Sequence, residues 1–136
     1  MPAVKSKIGI TCVIAMAGAA AAHAQYPSKP VRLIVTAAAG SGPDITARIV
    51  GQKLNVALGQ PVVVENRPGA GGSIAAELAA KAPPDGYTLV MASAGSHAVS
   101  PALYPKLAWD PIRDFAPITI VSIAPNILIV HPSLPV

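Results

Sequence analysis

Two glycine-bearing turns hold the residues best suited to chemistry. Ala39-Gly40-Ser41-Gly42, with Asp44 just beyond, is the first, and Ser93-Ala94-Gly95-Ser96-His97 is the second. Gly40-Ser41-Gly42 is able to turn successive backbone N–H groups toward one point. A helix behind it adds its positive end, so the turn forms an anion site without any cationic side chain. Ser93, Ser96 and the amides around Gly95 supply a second set of donors. The matching guest is a small carboxylate. Set against this, a glycine turn taken alone more often serves only the turn itself.

The main rival is a dinucleotide site. Gly40-Ser41-Gly42 gives the first two glycines of G-x-G-x-x-G, and Glu65 stands at the right remove for a ribose contact. Ile45 occupies the third glycine position, where its side chain is expected to obstruct helix–strand packing, and Pro43 sits where the turn must enter the helix. Other chemistry is thin. There is no G-x-S-x-G. His97 and His131 lack a second ligand at metal spacing, so no metal, cofactor or catalytic residue is assigned. Arg67 could clamp a carboxylate bidentately, but such an arginine more often pairs with a local acid, here Glu65 or Asp85. Tyr104, Trp109 and Phe115 are expected to pack the turn-rich segment around them.

The elements that position these turns follow from the pattern of apolar residues. Val31 to Val35 reads as a buried strand. A helix from about Pro43 to Leu58 follows, with Pro43 in the first turn, Asp44 at the positive end, Gly59 as the stop, and Ala47, Val50, Leu54 and Leu58 along one stripe. Val62-Val63-Val64 is a second strand, Ser73 to Lys81 a second helix, and Tyr87 to Ala92 a third strand. The β-α-β-α-β order predicts an α/β fold with a parallel sheet. In such a sheet, ligands sit outside the carboxyl ends of the strands, where both turns open. Ser93 to His97 reads as a loop, with a short helical piece near Pro101 to Tyr104. Ile118–Ile123 and Asn126–His131 are further strand candidates.

Composition narrows the class. The 136 residues are 52% hydrophobic and only 4% aromatic, so the core must come from Val, Ile, Leu and Ala. That argues for a globular domain and against disorder. Residues 1–24 read as a secretion signal, with Lys5 and Lys7, an uncharged run from Ile8 to Ala22, and Ala22-His23-Ala24 for cleavage ahead of Gln25. The run is short of the roughly 20 residues that span a bilayer. Cys12 is the one cysteine and lies in this signal, after Thr11 rather than a small lipoprotein-type residue, so residues 25–136 hold no thiol. Without Lys5 and Lys7, eight basic residues face six acidic ones. The basic residues are scattered, so no nucleic-acid partner is expected.

Several stretches, in this order, resemble a known family. They are Tyr26-Pro27-Ser28-Lys29-Pro30-Val31-Arg32-Leu33-Ile34-Val35, Asp44-Ile45-Thr46-Ala47-Arg48, and the most specific, Gly59 to Gly72 with Val64-Glu65-Asn66-Arg67-Pro68-Gly69-Ala70-Gly71-Gly72. Pro84-Asp85-Gly86-Tyr87-Thr88-Leu89, Ser96-His97-Ala98, Pro101-Ala102-Leu103-Tyr104, Asp110-Pro111 and Asp114-Phe115-Ala116-Pro117 continue the match. The chain is similar to the Bug, or tripartite tricarboxylate transporter receptor, family of periplasmic solute-binding proteins.

The resemblance implies a type II periplasmic-binding-protein fold that closes like a flytrap. It also implies a di- or tricarboxylate or related organic-acid ligand, a membrane permease as partner, and ligand contacts at Ala39–Gly42, Asp44 and Ser93–His97. The chain departs from the family pattern at Thr36 and Ala37, where Pro and a bulky aromatic are usual, and at Ser100, where Asn is frequent. The first departure enlarges or loosens that side of the cleft and leaves the ligand's identity open. Family members are much longer. Residues 25–136 therefore read as the N-terminal part of the first lobe, with 126–136 like the strand that crosses to a second lobe absent here. Half a cleft is expected to bind carboxylates weakly or not at all, and a remnant of a receptor gene without function is the third reading.

Overall fold

The computed structural model describes residues 26–125 and 127–134. The secretion signal expected at residues 1–24, and the cleavage expected after Ala24, lie outside the described residues. Strand β1, Val31–Val35, is the centre of a three-stranded parallel sheet; β2, Val62–Asn66, lies on one side and β3, Thr88–Met91, on the other. The register sets Leu33 beside Val64 and beside Leu89. Parallel neighbours need crossovers, and here both are helical. Helix α1, Gly42–Leu58, joins β1 to β2, and helix α2, Ser73–Ala80, joins β2 to β3.

Side chains alternate across the sheet, and both faces of β1 are buried. Val31, Leu33 and Val35 pack with Val62 and Ala47 of α1, with Leu54, Leu58, Val64, Leu89 and Met91 around them. Ile34 points the other way and is fully buried, as are Ala75 and Ala76 of α2. Each fully buried Val, Leu or Ile contributes roughly 1.5–3 kcal/mol relative to exposure, so the central strand anchors both layers. Gly51 is the close-packing residue of α1: a Cβ there would stand 3.4 Å from Val64 Cγ2. Ile45 is 53% exposed and faces away from the sheet, so it does not obstruct the packing as the sequence suggested.

The helix ends follow local rules. Gly59 takes a left-handed conformation (φ 64°) and donates its N–H to Asn55 O at 3.1 Å, closing α1. The Asn55 side chain then accepts from Val62 N–H and starts β2. Ahead of β1, Tyr26 Oη donates to Gly86 O and Lys29 pairs with Asp85, tying the segment before the sheet to the turn before β3.

Two expectations are corrected. Ser93–His97 is not a loop: helical structure begins at Ala94, passes through a π-helical turn, Gly95–Val99, and continues as α3, Ser100–Leu103. Ser93 and Ser96 close the start reciprocally, Ser93 N–H donating to Ser96 Oγ (3.1 Å) and Ser96 N–H to Ser93 Oγ (3.3 Å). This is the logic of a capping box. The wide turn arises because Ser100 N–H reaches back five residues to Gly95 O, and Pro101 has no N–H to offer.

The strand expected at 118–123 does not form, and of the one expected at 126–131 the described residues, 127–131, form no strand. Residues 118–125 and 127–130 carry no regular structure, and Ile118, Ile120, Ile123, Ile127, Leu128 and Ile129 are exposed. Their composition favours strand, but a strand exists only beside a neighbour that takes its ladder bonds. Among the described residues none lies alongside them.

Candidate functional site

All three strands run the same way, so the turns that follow them gather at one edge of the sheet. Thr36, directly after β1, donates its hydroxyl to Met91 O of β3 at 3.1 Å, which ties the first and third turns at their roots. The second turn, Arg67 to Gly72, packs between them. A Cβ on Gly72 would lie 2.8 Å from Ser96 Cβ and 3.0 Å from Thr36 Cβ. One on Gly71 would lie 2.8 Å from Ser100 Oγ, which itself donates to Gly71 O. Gly71 and Gly72 hold φ of 64° and 95°, so glycine is needed for conformation as well as for space. Sequence reasoning assigns this second turn no part in the site. Its signal is the run Gly69-Ala70-Gly71-Gly72, in which only residues without a bulky Cβ allow such contact.

The first turn is organised by Asp44, which is 3% exposed. Its Oδ2 accepts Gly40 N–H at 2.8 Å and Arg48 Nε–H at 3.1 Å, and its Oδ1 accepts from Asn66 Nδ2 at 3.0 Å. Arg48, then the Gly40 amide, then Asn66 hold the carboxyl down at a pKa of about 2. Asp44 is thus an anion already installed in the turn, with Arg48 as its counter-charge (3.1 Å). Ser41 donates both its N–H (3.3 Å) and its hydroxyl (2.6 Å) to Ala38 O. The amides of Ala39, Gly42 and Asp44 have no partner among the described residues.

In the third turn, the amides of Ser93 and Ser96 serve the reciprocal serine pair, and His97 N–H is bound to Ser93 O at 3.0 Å. Ser96 is fully buried and its Oγ meets His97 Nδ1 at 2.9 Å. Ser96 therefore serves the local structure. The amides of Ala94 and Gly95 have no partner among the described residues. Of the ten residues expected at the site, five thus offer unengaged amides at the carboxyl edge: Ala39, Gly42, Asp44, Ala94 and Gly95. The amides of Gly40, Ser41, Ser93, Ser96 and His97 are used internally.

Other candidates resolve plainly. Arg67 pairs with Glu65, as does Arg32 (2.7 Å), so the arginine is engaged locally. Arg32 and then Arg67 lower the Glu65 pKa. The acid that a dinucleotide ribose would need is therefore occupied. His97 packs edge-on to Phe115 (4.7 Å between centroids) and tilted on Trp109 (5.2 Å), and burial lowers its pKa. Trp109 is 6% exposed and meets Phe115 edge-on, so these rings build the wall behind the third turn. Tyr104 is not part of that cluster. Two shallow hollows, of about 360 and 400 Å³, lie against α1 and α2 rather than at the carboxyl edge.

An open parallel sheet wound on both faces, with helix-backed turns at its carboxyl edge, defines a lobe of the periplasmic-binding-protein kind. Residues 46–136 match the model of the tripartite tricarboxylate transporter family receptor, and the chain belongs to that family. It is 46% identical over 106 residues to a UPF0065 protein of Bordetella bronchiseptica, covering 77% of this chain and 32% of that one. The chain thus spans about a third of the length of the curated relatives it matches. Among solved structures it is similar to MatC of Rhodopseudomonas palustris with bound malate, at 42% identity and a TM-score of 0.64, covering 68% of this chain and 31% of that one. It is also similar to an R. palustris protein solved with adipate, at 37% identity and a TM-score of 0.61, covering 63% and 29%.

Proposed function

We propose that this chain forms part of the ligand-binding lobe of a periplasmic receptor. It would hold a small carboxylate at the carboxyl edge of its sheet, for delivery to the membrane permease of a tripartite tricarboxylate transporter. The observation that carries the reading is the set of unengaged amides on two adjoining turns, Ala39, Gly42 and Asp44 on one and Ala94 and Gly95 on the other. Backbone N–H groups at helix starts favour an anion without a cationic side chain. Relatives of the same fold carry malate and adipate. Export follows from the signal-like residues 1–24, with cleavage after Ala24. Among the described residues no helix is long and apolar enough to cross a membrane.

The test is a titration of isotope-labelled residues 25–136 with malate and with adipate, followed by amide NMR, which detects millimolar binding. Shifts confined to the amides of residues 39–44 and 94–95, absent with the dimethyl esters, are expected. Equal shifts with the neutral esters, or shifts that fall outside these two turns, would sink the reading. Mass spectrometry of the secreted product, with Gln25 at its N-terminus, checks the export step.

A further inference from the structure

We infer that Asn66 is a positioning residue of this site, strapping the first turn to the end of β2 and holding the Asp44 carboxylate away from the amides a guest needs. The inference rests on reading this edge as a carboxylate site. Asn66 stands on the last rung of the β1–β2 ladder, beside Val35, so its backbone is fixed by the sheet. Its carboxamide is fully engaged: Nδ2 donates to Ala37 O at 3.1 Å and to Asp44 Oδ1 at 3.0 Å, and Oδ1 accepts from Arg48 Nη2 at 3.2 Å. An amide with two donors and one acceptor, all satisfied, has one orientation.

The chemical need for such a strap is specific. A site built from main-chain N–H groups has one dangerous competitor, a carboxylate of its own chain. Asp44 carries that carboxylate in the very turn that would receive the guest, and it stays ionised at any physiological pH. With Oδ1 held by Asn66, Oδ2 is aimed at Gly40 N–H, and the amides of Gly42 and Asp44 are left unengaged. Without Asn66, the carboxylate would keep only its hydrogen bonds from Arg48 and the Gly40 amide, both to Oδ2, and nothing would tie it to the sheet. Arg48 is a half-exposed side chain on the same helix and does not reach the backbone of the turn. Asn66 reaches it directly, through Ala37 O.

The experiment compares wild type with Asn66→Leu and Asn66→Asp in residues 25–136. Leucine removes the bonds at similar size. Aspartate keeps the shape and the acceptor toward Arg48 but loses both donors, and it decides the matter where leucine unfolds the chain. Amide exchange with solvent is read at Gly40, with Gly51 in mid-α1 as the internal control. Exchange at Gly40 faster by about tenfold, with Gly51 unchanged, is the expected result, corresponding to loss of roughly one hydrogen bond. Unchanged exchange at Gly40 in a folded variant overturns the inference. Malate titration of the same samples is expected to show weaker shifts at Gly42 in both variants. If malate and its neutral dimethyl ester move the wild-type amides equally, the carboxylate reading falls, and the Gly40 exchange rates still decide whether the strap exists.

Discussion

Gly72 and Ser96 approach so closely that a Cβ on the glycine would lie 2.8 Å from the serine Cβ. That contact welds the turn after β2 to the helical turn after β3, and it occurs at a φ of 95°, where side chains are rarely tolerated. Gly72→Ala must therefore displace Ser96 or Thr36 as well as bear backbone strain. A destabilisation of about 2–4 kcal/mol is expected from strain plus overpacking. Gly59→Ala is the control: its φ of 64° is similar, but nothing lies within 4 Å of the added Cβ, so about 1 kcal/mol is expected. Urea unfolding of the two variants checks this, and equal losses would show that the contact contributes nothing.

The Asp44 carboxyl titrates at about 2 in the folded chain, against 3.8 for the free side chain. A lowered folded pKa means that its contribution is complete above the unfolded value and is lost as pH falls toward the folded one. Stability should decline between about pH 4 and pH 2. Asp44→Asn should be less stable than wild type at neutral pH and should flatten this acid limb. Unfolding midpoints measured across that range supply the check.

Trp109 is the single tryptophan, and its ring lies 5.2 Å from that of His97. Burial lowers the His97 pKa, so the imidazole stays neutral to lower pH than a free histidine. The unfolded chain takes up that proton first. Stability linked to His97 is therefore full above the ordinary histidine value and falls as pH drops through the folded one. Trp109 emission should change with a midpoint below 6.5, and His97→Gln should abolish the change.

Glu65 is shared by Arg32 and Arg67, whose guanidinium groups are half exposed. Exposed pairs are worth little, so Glu65→Gln should lower stability by only about 1 kcal/mol. Arg67→Gln should cost less still, because Arg32 keeps its bond. Thermal unfolding at low and high salt tests both, and the difference from wild type should shrink as salt rises.

Much of this architecture could be read from the chain. The apolar run Val31–Val35, the stripe through Ala47, Leu54 and Leu58, and the stop at Gly59 obey local rules, so β1 and α1 were visible almost to their ends. The segments at 118–123 and 126–131 misled because strand propensity says nothing about whether a neighbour is at hand. Ser93–His97 looked like a loop because glycine and serine favour turns, whereas the reciprocal bonding of Ser93 and Ser96 turns them into a helix start. The carboxyl-edge turns were legible as a group from the strand order. Which amides are already taken was not, because that depends on partners far apart in sequence. Asn66 meets Asp44 and Ala37 across 22 and 29 residues, and no local pattern records this.

Asp44 and Arg48 leave the first turn electrically neutral although it is lined with donors. A guest anion held there would be drawn by short-range dipoles alone, with no surplus positive field reaching into solvent. Its capture should therefore be nearly indifferent to ionic strength and should proceed at an unsteered encounter rate. Discrimination between guests would then rest on how well their oxygens fit fixed N–H directions, rather than on how much charge they bear.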